Sequence, residues 1–415
     1  MLKNWAAALF LFAGAVAAPA PERVDESRAV FREIDRVLEK LTEISGFELK
    51  HKVPHDLISR DRVRQFLEQR VHDVVRPEDI RAEEITLKLF GLVPQDFDLR
   101  STTVDLLTEQ AAAFYDFHKK RLYITDWTPS ATREAALVHE LAHALADQNF
   151  NLSKFIRQGQ ENDDGAMARM AVMEGQASWL MAEYMARQMG QSLVSSPSLL
   201  TMMSRSMEPG TSDFPVFEKA PLYLRETLLF PYTKGMLFQN AVVARLGKQG
   251  LAEVFRRPPV STQQVLHADR YFARDVPSEP EPPATKKMLK GYKDLAEGSI
   301  GELDHAILIE QYAGKKEADA VAPHWKGGQY AVFENRSAKR YVLAYAVDWD
   351  QPAFASRYFT FYRQALRKKW KKMEIRSESA GSMDGLGDTG YFMLRCEGVR
   401  VTSLEGLESP LPALR

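Results

Sequence analysis

Residues 136–147 read Ala-Leu-Val-His-Glu-Leu-Ala-His-Ala-Leu-Ala-Asp, and no other stretch limits the fold as strongly. At about 3.6 residues per turn, His139 and His143 stand one above the other on a helix face, the spacing two imidazoles need to hold one ion. Zinc suits such a pair. Glu140 lies about 100° round the helix from His139, within reach of water at the metal without being a ligand. In an H-E-x-x-H helix it serves as the general base. Leu137, Leu141, Ala144 and Leu145 supply the opposite, apolar face, so the segment reads as a helix backed by a core.

A third ligand is expected downstream. Residues 170–181 form a Met- and Ala-rich apolar run with a single carboxylate, Glu174. A carboxylate on an apolar face is costly unless it meets a cation. Gly175 costs about 1 kcal/mol in a helix relative to Ala, which implies that another backbone, expected to be the histidine helix, passes close by. Asp163 and Asp164 compete with Glu174 for this role, but paired acids ahead of a helix usually cap it and complement its dipole. Two histidines and a glutamate leave the fourth zinc position open to water, the arrangement of a catalytic site.

These residues resemble the gluzincins, zinc peptidases with H-E-x-x-H on one helix and a glutamate ligand on the next. His139-Glu140-Leu141-Ala142-His143-Ala144-Leu145-Ala146-Asp147 is similar to the thermolysin-type helix, and Glu174-Gly175-Gln176-Ala177 to the ligand helix of secreted bacterial peptidases. The resemblance covers roughly residues 113–181. Phe230-Pro231-Tyr232 and Ser261–His267 also look like the same bacterial group. It implies Glu174 as the third ligand in preference to Asp163 and Asp164. It also raises Tyr232 and His267 as donors to the oxyanion, since amide hydrolysis builds negative charge on the carbonyl oxygen. The chain departs from the thermolysin pattern at Ala177 and Ser178, where an acidic residue would orient His139. Ala146 and Asn149, where a metzincin has Gly and His, exclude that alternative.

Taken in order, the chain opens with Lys3 and an apolar run ending in Ala15-Val16-Ala17, which reads as a signal peptide of residues 1–17 and too short for a lasting anchor. Residues 18–92 read as a mostly helical N-terminal region, with Val30, Ile34, Val37, Leu38 and Leu41 at helical spacing and Pro77 at a first helical position. Whether that region is a removable prosegment is left open by the sequence. His51, His55 and His72 have no partner at metal spacing. Residues 113–125 suggest a hairpin turning at Lys119-Lys120, and the family resemblance implies a substrate extended along Leu122–Ile124. Ser130 suits the N-cap of the histidine helix.

Pro277-Ser278-Glu279-Pro280-Glu281-Pro282-Pro283 reads as an extended linker, placing a boundary within 276–300. Beyond it, a helix near 301–311, strands at 329–333 and 341–345, a helix from Pro352 and a strand at 390–397 make a small α+β unit. The 415 residues, 45% hydrophobic, suffice for two or three domains. The lone Cys396 permits no internal disulfide, and a net charge of −1 gives no general attraction to nucleic acid.

The sequence therefore leads to an α+β protein with a zincin-like (gluzincin) catalytic domain at 93–275, mostly helical with a small edge sheet, and an α+β accessory domain at 301–415. The expected activity is that of a secreted or periplasmic metallopeptidase with one zinc ion on His139, His143 and Glu174, and Glu140 activating the attacking water. Its partner would be a peptide or protein substrate, with no nucleic acid and no permanent membrane anchor. The alternative is a zinc-binding scaffold of the cell envelope that has lost catalysis.

Overall fold

The computed structural model describes residues 26–410 except 75, 111–112, 126–129, 161, 208–213 and 285. The signal peptide expected at 1–17 lies outside the described residues. Ten helices of ten residues or more are described: α1 Glu26–Ser45, α2 Arg60–Val74, α3 Pro77–Phe90, α4 Leu99–Gln110, α5 Ser130–Phe150, α6 Asp163–Gln188, α7 Pro197–Ser206, α8 Leu222–Leu246, α9 Glu302–Ala313 and α10 Pro352–Lys369. Two sheets accompany them. In the first, β1 (His55–Ile58), β2 (Ala113–Asp116) and β3 (Arg121–Thr125) lie in the order β1-β3-β2.

The second sheet is antiparallel and seven-stranded, ordered β4-β5-β6-β10-β9-β8-β7. Its strands are β4 (Lys293–Ser299), β5 (Trp325–Asn335), β6 (Arg340–Trp349), β7 (Glu374–Glu378), β8 (Ser382–Gly387), β9 (Gly390–Glu397) and β10 (Arg400–Leu407). The fold is thus α+β and mostly helical. The expected strand pair near 329–345 is present, with Phe333 opposite Val342 and Tyr330 opposite Tyr345.

The N-terminal region is built into the molecule. Ile34, Val37, Leu38 and Leu41 of α1 are buried, as their spacing requires. Gln148 and Asn149, at the end of α5, bond the backbone of residues 48–51: Gln148 Oε1 accepts from Lys50 N (2.8 Å) and His51 N (2.9 Å), and Asn149 Nδ2 donates to Glu48 O (3.0 Å). The chain then enters β1, which pairs in parallel with β3 from His55 opposite Leu122 to Ile58 opposite Thr125.

That pairing corrects one expectation. Strand β3 is held by β1 on one side and β2 on the other, so Leu122–Ile124 has no open edge for a peptide. Parallel addition of β1, which no local pattern in the sequence announces, is the reason. Strand β2 is the edge beside α5.

The proline-rich stretch has no regular structure up to Ala284, yet it lies along the second sheet: Ser278 N donates to Lys326 O (2.8 Å) and Ser278 Oγ to Asp348 Oδ2 (2.9 Å). The end of the 276–300 segment is not linker but strand β4, paired with β5. One continuous apolar core runs from Ile34 to Val401, and a smaller cluster around Leu289, Tyr292 and Phe333 covers the far face of the sheet. No helix of the described residues is long and apolar enough to cross a membrane.

Candidate metal centre

Helix α6 is buried along almost its whole length, so its polar residues must find partners inside the protein. Asn162 caps it, its side chain accepting from Gly165 N (2.8 Å). Asp163 and Asp164 in its first turn face the C-terminal half: Tyr330 donates its hydroxyl to Asp163 Oδ2 (3.2 Å), and Thr262 Oγ1 donates to Asp164 Oδ1 (2.6 Å). The two acids that competed with Glu174 are therefore held by hydroxyl donors far along the helix from it. A Cβ at Gly298 or Gly301 would run into these carboxylates.

Three turns on, α6 meets the histidine helix. Glu174 Oε2 lies 3.0 Å from His139 Nε2 and 3.3 Å from His143 Nε2, and the two Nε2 atoms are 3.1 Å apart. Tetrahedral zinc with bonds of about 2.0–2.1 Å holds its donors about 3.3–3.4 Å apart. The three atoms converge to within a few tenths of an ångström of that figure, so the residues fit the ion. His139, Glu140 and His143 also form a buried group whose ligand atoms lie within 4.8 Å of one another, while Glu174 Oε2 lies within 3.3 Å of both imidazoles.

Burial and mutual charge set the protonation of this group. Burial draws His139 down to about 4. Burial also opposes charge on His143, but the carboxylate of Glu174 outweighs it and raises that histidine. Glu174 is held down at about 2, because His143 and the hydrogen bonds from both imidazoles overcome the effect of burial. Burial pushes Glu140 up to about 8. These opposed shifts set the two neighbouring carboxylates apart, Glu174 favouring its anion and Glu140 its protonated form.

The sequence resemblance led to Tyr232, and the structure brings it to this group. Its ring lies 5.9 Å from that of His139 at 28°, and burial together with the nearby Glu174 carboxylate raises its phenol well above the ordinary value. His267 goes elsewhere. Its Nε2 lies 2.7 Å from Glu302 Oε1, in a cleft of about 420 Å³ lined also by Glu226, Thr233 and Lys234. Thr233 and Lys234 follow Tyr232 on α8, and at about 100° per residue they point off other faces of the helix.

Gly175 does approach another backbone, but it is that of α8, at Gly235. The residues sequence reasoning passed over are Tyr115 and Lys120. Tyr115 N donates to Glu140 Oε2 (2.7 Å), and both side chains reach Asp147. Asp147, one turn after His143, was the available signal.

Residues 241–413 match the model of a family described as a domain of unknown function, DUF8575. That stretch begins within α8 and takes in the seven-stranded sheet, while His139, Glu140, His143, Glu174 and Tyr232 all precede it. No curated protein and no solved structure matches the chain.

Proposed function

We propose that the chain is a zinc-dependent metallopeptidase of gluzincin type, acting outside the cytoplasm. The observation that carries this reading is the convergence of His139 Nε2, His143 Nε2 and Glu174 Oε2 beside a carboxylate, Glu140, that is not one of the three. His139, His143 and Glu174 would hold a zinc ion, which would serve as a Lewis acid for water and the scissile carbonyl and would favour the ionised form of Glu140.

Glu140 is then the base. One of its oxygens is fixed on Tyr115 N, which leaves the other to take a proton from water and return it to the leaving amine. The phenol of Tyr232, kept protonated by burial and by Glu174, is the donor suited to the oxyanion.

A second reading, a zinc scaffold without catalysis, is favoured by one observation: His139, Glu140, His143 and Glu174 are all buried. Zinc content together with cleavage of a peptide library by the purified exported protein separates the two. One zinc per chain with cleavage supports the peptidase. One zinc with no cleavage of any peptide or unfolded protein supports the scaffold.

A further inference from the structure

One residue joins strand β2 to helix α5 at two places. Tyr115 donates its backbone N–H to Glu140 Oε2 (2.7 Å) and its phenol hydroxyl to Asp147 Oδ2 (3.0 Å). Glu140 and Asp147 are seven residues apart, two turns along the same helix face. Asp147 is itself immobilised. Its Oδ1 accepts from Leu152 N (2.9 Å) and its Oδ2 from the Lys120 ammonium (2.5 Å). Lys120 sits in the β2–β3 turn with φ +54°, so the turn that ends the strand returns a cation to the same carboxylate.

Among the described residues, strand β2 has a ladder partner on one side only, β3. Its outer side is held by α5, and a displacement there moves the N–H that fixes Glu140. Tyr115, Glu140 and Asp147 are all buried, where a hydrogen-bonded carboxylate is rigid and an unpaired one costly.

We infer that the Tyr115 phenol, anchored on Asp147, is a positioning device that sets the height of β2 over α5 and thereby holds the Glu140 carboxylate in place. Its consequence for turnover rests on the peptidase reading. Its structural part rests on the hydrogen bonds alone. Neither Tyr115 nor Asp147 touches the reacting atoms.

The test uses Tyr115→Phe, which keeps the ring and removes only the hydroxyl, in the full-length exported protein. In zinc-free protein, amide hydrogen exchange at residue 115 should quicken about tenfold or more, because the local hydrogen bond opens more often. Exchange at Leu122, whose amide donates to Pro54 O, should stay as in wild type. In zinc-loaded protein kcat should fall about tenfold, as expected of a misplaced catalytic group, with KM within about twofold. Placed on a Glu140→Gln background, Tyr115→Phe should cause no further loss.

Asp147→Asn should give the same pattern, and it serves should Tyr115→Phe fold poorly. Unchanged exchange at residue 115, or equal loosening at Leu122, overturns the inference. Faster exchange at 115 alone, in a protein whose wild type cleaves nothing, keeps the clamp and rejects the peptidase reading.

Discussion

Gly175 and Gly235 cross backbone to backbone: a Cβ built on Gly235 would lie 2.9 Å from Gly175 Cα, and one on Gly175 would run into the Gly235 carbonyl. The crossing fixes how α6 and α8 are set against each other. Glu174 precedes Gly175, and Tyr232 lies almost one turn before Gly235. The close approach therefore brings the phenol near the Glu174 carboxylate.

Gly235→Ala should test this directly. The added methyl meets backbone, which cannot move aside cheaply, so overpacking should cost about 1–3 kcal/mol or more. Urea unfolding measures the loss. Zinc affinity should fall much less than for His139→Ala, since both imidazoles stay on α5.

Glu140→Gln should leave zinc bound and the fold intact. Peptide hydrolysis should drop by about 10²- to 10⁴-fold, the usual contribution of general acid-base catalysis. Normal turnover in that variant removes the proposed mechanism.

Glu174→Ala should lose zinc in competition with a chelator, as His139→Ala should. Asp164→Ala should keep zinc but lose stability, because the Thr262 hydroxyl and N–H are left buried without their acceptor, at about 1–3 kcal/mol for each such group. Metal titration and thermal melts on both variants give the comparison. Full zinc retention by Glu174→Ala would reassign the third ligand.

His267 is raised above its ordinary value by its hydrogen bond with Glu302. A histidine whose folded value exceeds its unfolded one of about 6.5 stabilises the fold fully below that pH, and the effect disappears as pH rises through the folded value. His267→Gln should therefore destabilise by about 1 kcal/mol at pH 5.5 and by less at pH 9, as read from unfolding at the two values. An equal loss at both would mean that the ring, not its charge, matters.

A chain begun at residue 93 should fail to fold. It would lack β1, uncover β3 and leave Gln148 and Asn149 without their backbone partners. Soluble expression and circular dichroism of the truncated chain decide this, and a well-folded product would restore the removable-prosegment possibility.

What could be read from residues alone followed from local spacing. The i, i+4 pair His139 and His143, the single acid on an apolar helix at Glu174, the Lys119-Lys120 turn and the strand at 390–397 each announce themselves within a dozen residues. What could not be read depended on distant partners. Nothing near Leu122 indicates that His55–Ile58 pairs with it, and nothing near Gly175 distinguishes α8 from α5 as its neighbour. Tyr232 and His267 look alike as lone polar residues in apolar surroundings. Only packing separates the one beside Glu174 from the one beside Glu302.

The glycine cradle around Asp163 and Asp164 straddles the edge of the matched stretch. The stretch matching the family model starts at residue 241, so it carries Gly298 and Gly301 but not the two acids they accommodate. A Cβ at these positions would also meet residues inside the stretch, the Tyr330 hydroxyl at 3.0 Å from Gly298 and Thr262 Oγ1 at 2.8 Å from Gly301. Gly298 and Gly301 are thus the sockets through which the sheet unit seats the first turn of α6, and a side chain at either would have to push that helix end away.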